Sequence, residues 1–150
     1  MSKLRLLVPM FMPVAISWAE GNAQLILESG EPLGDSMIEI ARSVGVANPE
    51  FVRLLEVESI PSPTEPMLAL AATKLGLVGP EMLGLTLGYG IFVKTGHKTR
   101  RLLSHELRHV AQYEQAGSIA NFLPRYIHQI LDHGYANAPL ELDARACELA

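Results

Sequence analysis

Five consecutive residues, His105-Glu106-Leu107-Arg108-His109, carry the clearest chemical signal in the chain. On an α-helix, positions i and i+4 lie on one face about one turn apart. Two imidazoles so placed can converge on one metal ion. The carboxylate between them then sits where it can take a proton from a water activated by that ion. A pentapeptide of this pattern arises by chance on the order of once in a few hundred chains of this length. The spacing predicts His105 and His109 as metal ligands and Glu106 as a general base.

A catalytic zinc usually takes three protein ligands and keeps a fourth position open. Downstream of the motif the acids and histidines are Glu114, His128, Asp132, His133, Glu141, Asp143 and Glu148. Glu114 is too far along the motif helix to share its ion. A chain that leaves this helix, makes one return helix and starts a third can bring the third helix's first turn back to the metal. Glu141 falls in that turn and is the best geometric candidate. Asp143, two residues on, is about 200° around the helix, so both cannot face one ion.

These residues resemble the gluzincin zinc metallopeptidases, in which H-E-x-x-H is followed by a single Glu on a downstream helix. They are still more similar to small bacterial peptidase-like domains whose motif continues H-E-L-x-H-V-x-Q, matched here by Leu107, Val110 and Gln112. In those domains the third ligand lies in a stretch resembling Pro139-Leu140-Glu141-Leu142-Asp143-Ala144-Arg145, with the first Glu as ligand and a small residue three positions later. The resemblance spans roughly residues 84 to 150 and implies a Zn2+ centre of His105, His109 and Glu141.

It implies hydrolysis of a peptide bond. Zinc polarises the carbonyl and brings the pKa of a bound water to about 7, while Glu106 shuttles the proton. A further donor must meet the oxyanion. Tyr126, Tyr135, His128 and His133 are the polar candidates, and Tyr135 and His133 rank first because they border the loop before Glu141. Gluzincins often place an Asp four positions after the ligand Glu, to orient the first His. Arg145 stands there instead, which leaves Asp143 or a backbone carbonyl to orient His105. That departure favours an alternative reading, a zinc-binding scaffold or partner-binding module without turnover. The intact Glu106 favours the enzyme.

Several elements must position this site. Pro13 can open a helix to about Glu28 with Val14, Trp18, Leu25 and Ile26 as its apolar stripe, preceded by an N-terminal arm. Ser36-Met37-Ile38-Glu39 reads as a capping box, and Gly45 as a helix stop. A short helix opens at Asn48-Pro49, followed by a strand over Leu54 to Ile60. Thr64 or Glu65 can cap a helix through about Lys74 that ends at Gly76. Leu83 to Val93 reads as one strand, with Leu83, Leu85, Leu87, Tyr89, Ile91 and Val93 on one face and Gly84, Thr86, Gly88 and Gly90 on the other. That smooth face admits a backbone, a substrate strand or a tightly packed helix. Thr99 caps the motif helix, Arg100 to about Gln115. A regular amphipathic helix runs from about Ser118 to His133, and a last helix begins near Pro139. Arg100, Arg101 and Arg108 read mostly as a solvated basic face, and Tyr126 as core.

The 150 residues, 49% hydrophobic and 19% charged, fit a single domain with a real core. The expected class is α+β: a mostly helical, minimal zincin-like domain with a small two- or three-stranded antiparallel sheet packed on the motif helix. Residues 1–80 form its N-terminal helical part, and 81–150 the strand and metal-binding helices. A net charge of −4 argues against general nucleic-acid binding, so the expected partner is a peptide or protein substrate. The run Leu6 to Ile16, broken by Pro9 and Pro13, is too short to span a membrane. Cys147, the only cysteine, precludes an intrachain disulfide and a cysteine zinc site, and fits a reducing, cytoplasmic setting.

Overall fold

The computed structural model describes residues 2–77 and 79–150. Six α-helices surround a four-stranded sheet, which makes the domain mostly helical α+β. The sheet is larger than expected and mixed. Its strands are β1 (Glu31–Pro32), β2 (Arg53–Val57), β3 (Gly84–Leu87) and β4 (Gly90–Lys94), in the order β1-β2-β4-β3. β2 runs parallel to β4, with Leu54 opposite Ile91, and the other two pairings are antiparallel. The parallel pair binds the N-terminal and C-terminal parts of the chain into one sheet.

The segment Leu83 to Val93 forms two strands, where one was expected. Gly88 turns the chain at a φ of +65°, and Leu87 pairs with Gly90 across a two-residue loop. Glycine at the first central position suits a type II′ hairpin. The turn changes which residues share a face. Residues opposite each other on paired strands point the same way, so Leu85 and Leu87 share a face with Phe92 and Gly90. Thr86 and Gly84 share the other face with Ile91 and Val93. The sheet is therefore buried on both sides, as the apolar residues on both faces of β4 require.

On one side lies α4 (Arg100–Ala116), whose Leu103, Leu107 and Val110 pack with Ile91, Val93 and Leu54. Here α2 (Asp35–Ser43) adds Ile40 and Ala41. On the other side lies α1 (Ser2–Ser29), whose Ala19, Ala23 and Ile26 meet Leu87 and Phe92. Gly90 lets Ile26 this close, since a Cβ at Gly90 would stand 2.9 Å from the Ile26 Cβ. Gly90→Ala is expected to cost about 1–3 kcal/mol through overpacking of a rigid core, measurable by urea denaturation.

α1 begins eleven residues before Pro13. Its buried face is Leu4, Val8, Phe11, Met12, Ala15, Ala19, Ala23 and Ile26, while Val14 and Leu25 are exposed. Pro9 and Pro13 both lie on the solvent side, where the carbonyls they leave without N–H partners can reach water. Leu4, Val8 and Phe11 cluster with α3 (Pro66–Leu75) and α5 (Ile119–His133), and each buried side chain contributes about 1.5–3 kcal/mol. That burial carries the helix through its prolines.

The capping residues fall mostly as read. Glu65 accepts from the Met67 and Leu68 amides, Thr99 from Leu102 and Ser118 from Asn121. α2 is an exception: it starts at Asp35 behind Gly34, and the Ser36 side chain does not cap it. The last helix, α6 (Pro139–Ala146), carries proline in its first turn. Among the described residues no helix is long and apolar enough to cross a membrane.

Candidate metal centre

The i, i+4 spacing on α4 sets the His105 and His109 rings edge to face, with centroids 4.9 Å apart. α5 carries the chain away, and α6 returns it so that Glu141, in its first turn, reaches both rings. His105 Nε2 lies 3.1 Å from Glu141 Oε1, and His109 Nε2 3.0 Å from Glu141 Oε2. One ligand atom from each of the three lies within 4.8 Å of the others, so this group could hold a metal ion.

Both Nδ1 atoms are already committed. His105 Nδ1 meets Glu148 Oε2 at 2.8 Å, and the other Glu148 oxygen accepts from Arg101 Nε at 3.0 Å. His109 Nδ1 meets Gln112 Oε1 at 2.7 Å. The Gln112 amide nitrogen donates to the Leu140 carbonyl and to Asp143 Oδ2, each at 2.9 Å. With its nitrogen so placed, Gln112 must turn its oxygen to the imidazole, and His109 Nδ1 carries the proton. Each ring thus has an acceptor at Nδ1 and directs Nε2 inward.

Neutral rings held this way would aim two Nε2 lone pairs at a carboxylate about 3 Å away. A proton on each Nε2 or a shared cation resolves the conflict. Without a cation the rings take up protons. Burial opposes the charge on His105, but the Glu141 hydrogen bond and the charges of Glu106 and Glu141 outweigh it and raise its pKa to about 9. His109 is raised by the same balance. Burial would raise the Glu141 pKa, but hydrogen bonds from both histidines hold it far below the usual carboxylate range. Two imidazole nitrogens and one carboxylate are a fitting donor set for a divalent ion of borderline softness.

Glu106 is buried beside this group. Thr86 Oγ1 donates to its Oε1 at 2.8 Å, and the same hydroxyl lies 3.1 Å from the Glu106 carbonyl oxygen. A Cβ at Gly84 would stand 3.2 Å from the Glu106 carboxyl carbon. Gly84 of β3 therefore leaves room for the Glu106 side chain.

Tyr135, 37% exposed, lines both cavities that meet at Glu106. Burial and the charges of Glu141 and Glu106 raise its pKa, so its hydroxyl stays protonated. His133 is exposed at the end of α5 and lines neither cavity. His128 is exposed, its Nδ1 on the Pro124 carbonyl. Glu114 sits apart and accepts from the Ala47 and Asn48 amides and the Tyr89 hydroxyl.

Sequence reasoning missed three contributors. Glu148 fills the position beside His105 expected of Asp143 or a backbone carbonyl, and it lies just past the end of α6, where no helical spacing marks it. Asp143 instead holds Gln112 and Arg108. Arg108 is no part of a solvated face, since it also donates to the Val44 carbonyl at 2.7 Å. Tyr126, read as core, donates to Glu141 Oε2 at 2.6 Å. Its place in an apolar stripe gave no sign that its hydroxyl, one of the candidate oxyanion donors, would hold Glu141 instead. Thr86 was masked in the alternating pattern by Gly84 and Gly88 on either side of it.

The committed Nδ1 atoms carry a prediction. Gln112→Ala or Glu148→Ala is expected to weaken binding of a divalent metal ion by about 10–100-fold while leaving all three candidate ligands in place. Competition against a chromophoric chelator reads this directly.

Comparison with known proteins finds no family model, no curated protein and no solved structure that matches the chain.

Proposed function

We propose that the protein is a zinc-dependent hydrolase, most specifically a peptidase, with His105, His109 and Glu141 as the ligands and Glu106 as the general base. One observation carries this reading: two imidazoles with committed Nδ1 atoms converge on a buried carboxylate, and a second buried carboxylate stands beside them.

When bound, zinc supplies Lewis acidity, which activates water and polarises a carbonyl. The chain's own groups do the rest. Glu106 takes up and returns the proton at its carboxylate, with Oε1 held by Thr86. Tyr126 and the two histidines fix both oxygens of Glu141. Tyr135, protonated and at the mouth, donates to the oxyanion. Above it lies an open cleft of about 490 Å³, lined by Arg101, Leu102, Leu83 and Glu81, which offers room for an extended peptide. β3 is an edge strand along this cleft.

The scaffold reading drew on the missing Asp beside His105. Glu148 supplies that acceptor, and a site that only held zinc would have no use for a buried Glu106. Metal analysis of untagged protein is expected to give about one zinc per chain. Cleavage of a peptide library should vanish with a chelator and return with zinc. Protein that takes up no zinc on dialysis would overturn the proposal, and a zinc-loaded protein that cuts nothing would favour the scaffold.

A further inference from the structure

Behind the metal centre lies a second cavity, of about 110 Å³, and its lining is mainly apolar. Its walls include Ala15 and Trp18 of α1, Ala71 and Leu75 of α3, Leu85 of β3 and Ile127 of α5. Polar groups gather at one end, where Glu106, His109, Glu141 and Tyr126 face in. The volume is comparable to that of an apolar cavity of about 150 Å³ that stays dry and takes up benzene. Water has few partners along such walls, so the fitting occupant is an apolar group whose polar end lies at the metal centre.

We infer that this chamber receives one bulky apolar group of the substrate, attached directly at the reacting amide, and that α1 and α3 set its size. The inference rests on the hydrolase reading of the same site. It gives the first 80 residues a task, because the helices that carry no metal ligand form much of the wall that selects the substrate. Ala15 and Ala71 matter most, since small residues at these positions leave the space open. The apolar group has two sources, an unbranched acyl chain or an aromatic side chain, and both present the same surface.

Trp18 is the chain's only tryptophan and lines the chamber, so its fluorescence reports occupancy without turnover. Zinc-loaded protein is titrated with straight-chain alkyl hydroxamates from acetyl to decanoyl, and with phenylacetyl and phenylpropionyl hydroxamate. Chelator-treated protein is titrated in parallel with linear alcohols from ethanol to octanol. Affinity is expected to rise about fourfold per methylene until the chamber is full, with a shift in Trp18 emission. A steeper gain for the linear series identifies an acyl chain, and a gain for the phenyl probes an aromatic side chain. Ala71→Phe and, separately, Ala15→Leu should move the cut-off to shorter probes. Hydroxamate binding independent of chain length, with Trp18 unmoved, would overturn the chamber and leave the metal centre standing. Chain-length-dependent alcohol binding in a protein that hydrolyses nothing would support the chamber and count against the hydrolase. The wild-type series decides the matter even where a variant fails to fold.

Discussion

Glu106→Gln is expected to keep a full equivalent of zinc and to cleave peptide about 10²–10⁴-fold more slowly than the wild type. The substitution preserves shape. The glutamine oxygen can still accept from Thr86 Oγ1, where Oε1 now accepts at 2.8 Å, and the space above Gly84 is unchanged. Glu106 is not one of the three converging ligands, so metal content should not move. What disappears is the ability to accept a proton near neutral pH, because an amide has no such basicity. Metal analysis beside kinetics on one cleaved peptide checks both halves. A variant that retains wild-type turnover would remove Glu106 from the chemistry. A variant that loses zinc as well would make its role structural.

His109→Ala is expected to reduce bound zinc to less than about a tenth of the wild-type content, because a three-ligand site becomes a two-ligand one. The loss should be larger than that from Gln112→Ala, which only releases the ring's orientation. Stability follows the metal. With free zinc at a thousand times Kd, binding stabilises the folded wild type by about 4 kcal/mol, and the variant should lose that dependence. Buried Glu141 would also keep a negative charge with one of its two imidazole partners gone, and so the variant should melt lower even without zinc. His133→Ala is the matched control. That residue is exposed and away from both cavities, so zinc content and melting should stay at wild-type values. Zinc retained at full stoichiometry in His109→Ala would place the metal elsewhere.

Local signals in the sequence foretold much of this arrangement. Thr99 and Gly117 bracket the motif helix because a hydroxyl cap and a glycine with positive φ are short-range effects. The same holds for Glu65, Ser118 and Pro139. Glu141 was reachable by counting helices. Non-local features were not. The hairpin at Gly88 stayed hidden because a loop of two residues leaves the odd-even alternation of Leu83 to Val93 unbroken, although the faces change. The parallel pairing of β2 with β4 has no local mark at all. Pro9 and Pro13 argue locally against a helix that only tertiary burial of Leu4, Val8 and Phe11 sustains. Tyr126 and Glu148 show the same limit on the polar side. Each acts through a hydroxyl or carboxylate whose partner lies on another helix, 15 and 43 positions away.

The placement of Glu141 has a mechanical consequence as well as a chemical one. It stands 36 positions from His105, on a separate helix. An ion held by both would close the intervening α5 loop as a cross-link does, in a chain whose single cysteine cannot make an intrachain disulfide. Closing a loop of this length restricts the unfolded chain far more than the folded one, so the stabilisation is mostly entropic. Such a clasp is also reversible. A chelator would remove the ion without breaking a covalent bond, while Gln112 and Arg108 of α4 would still hold Leu140 and Asp143 of α6.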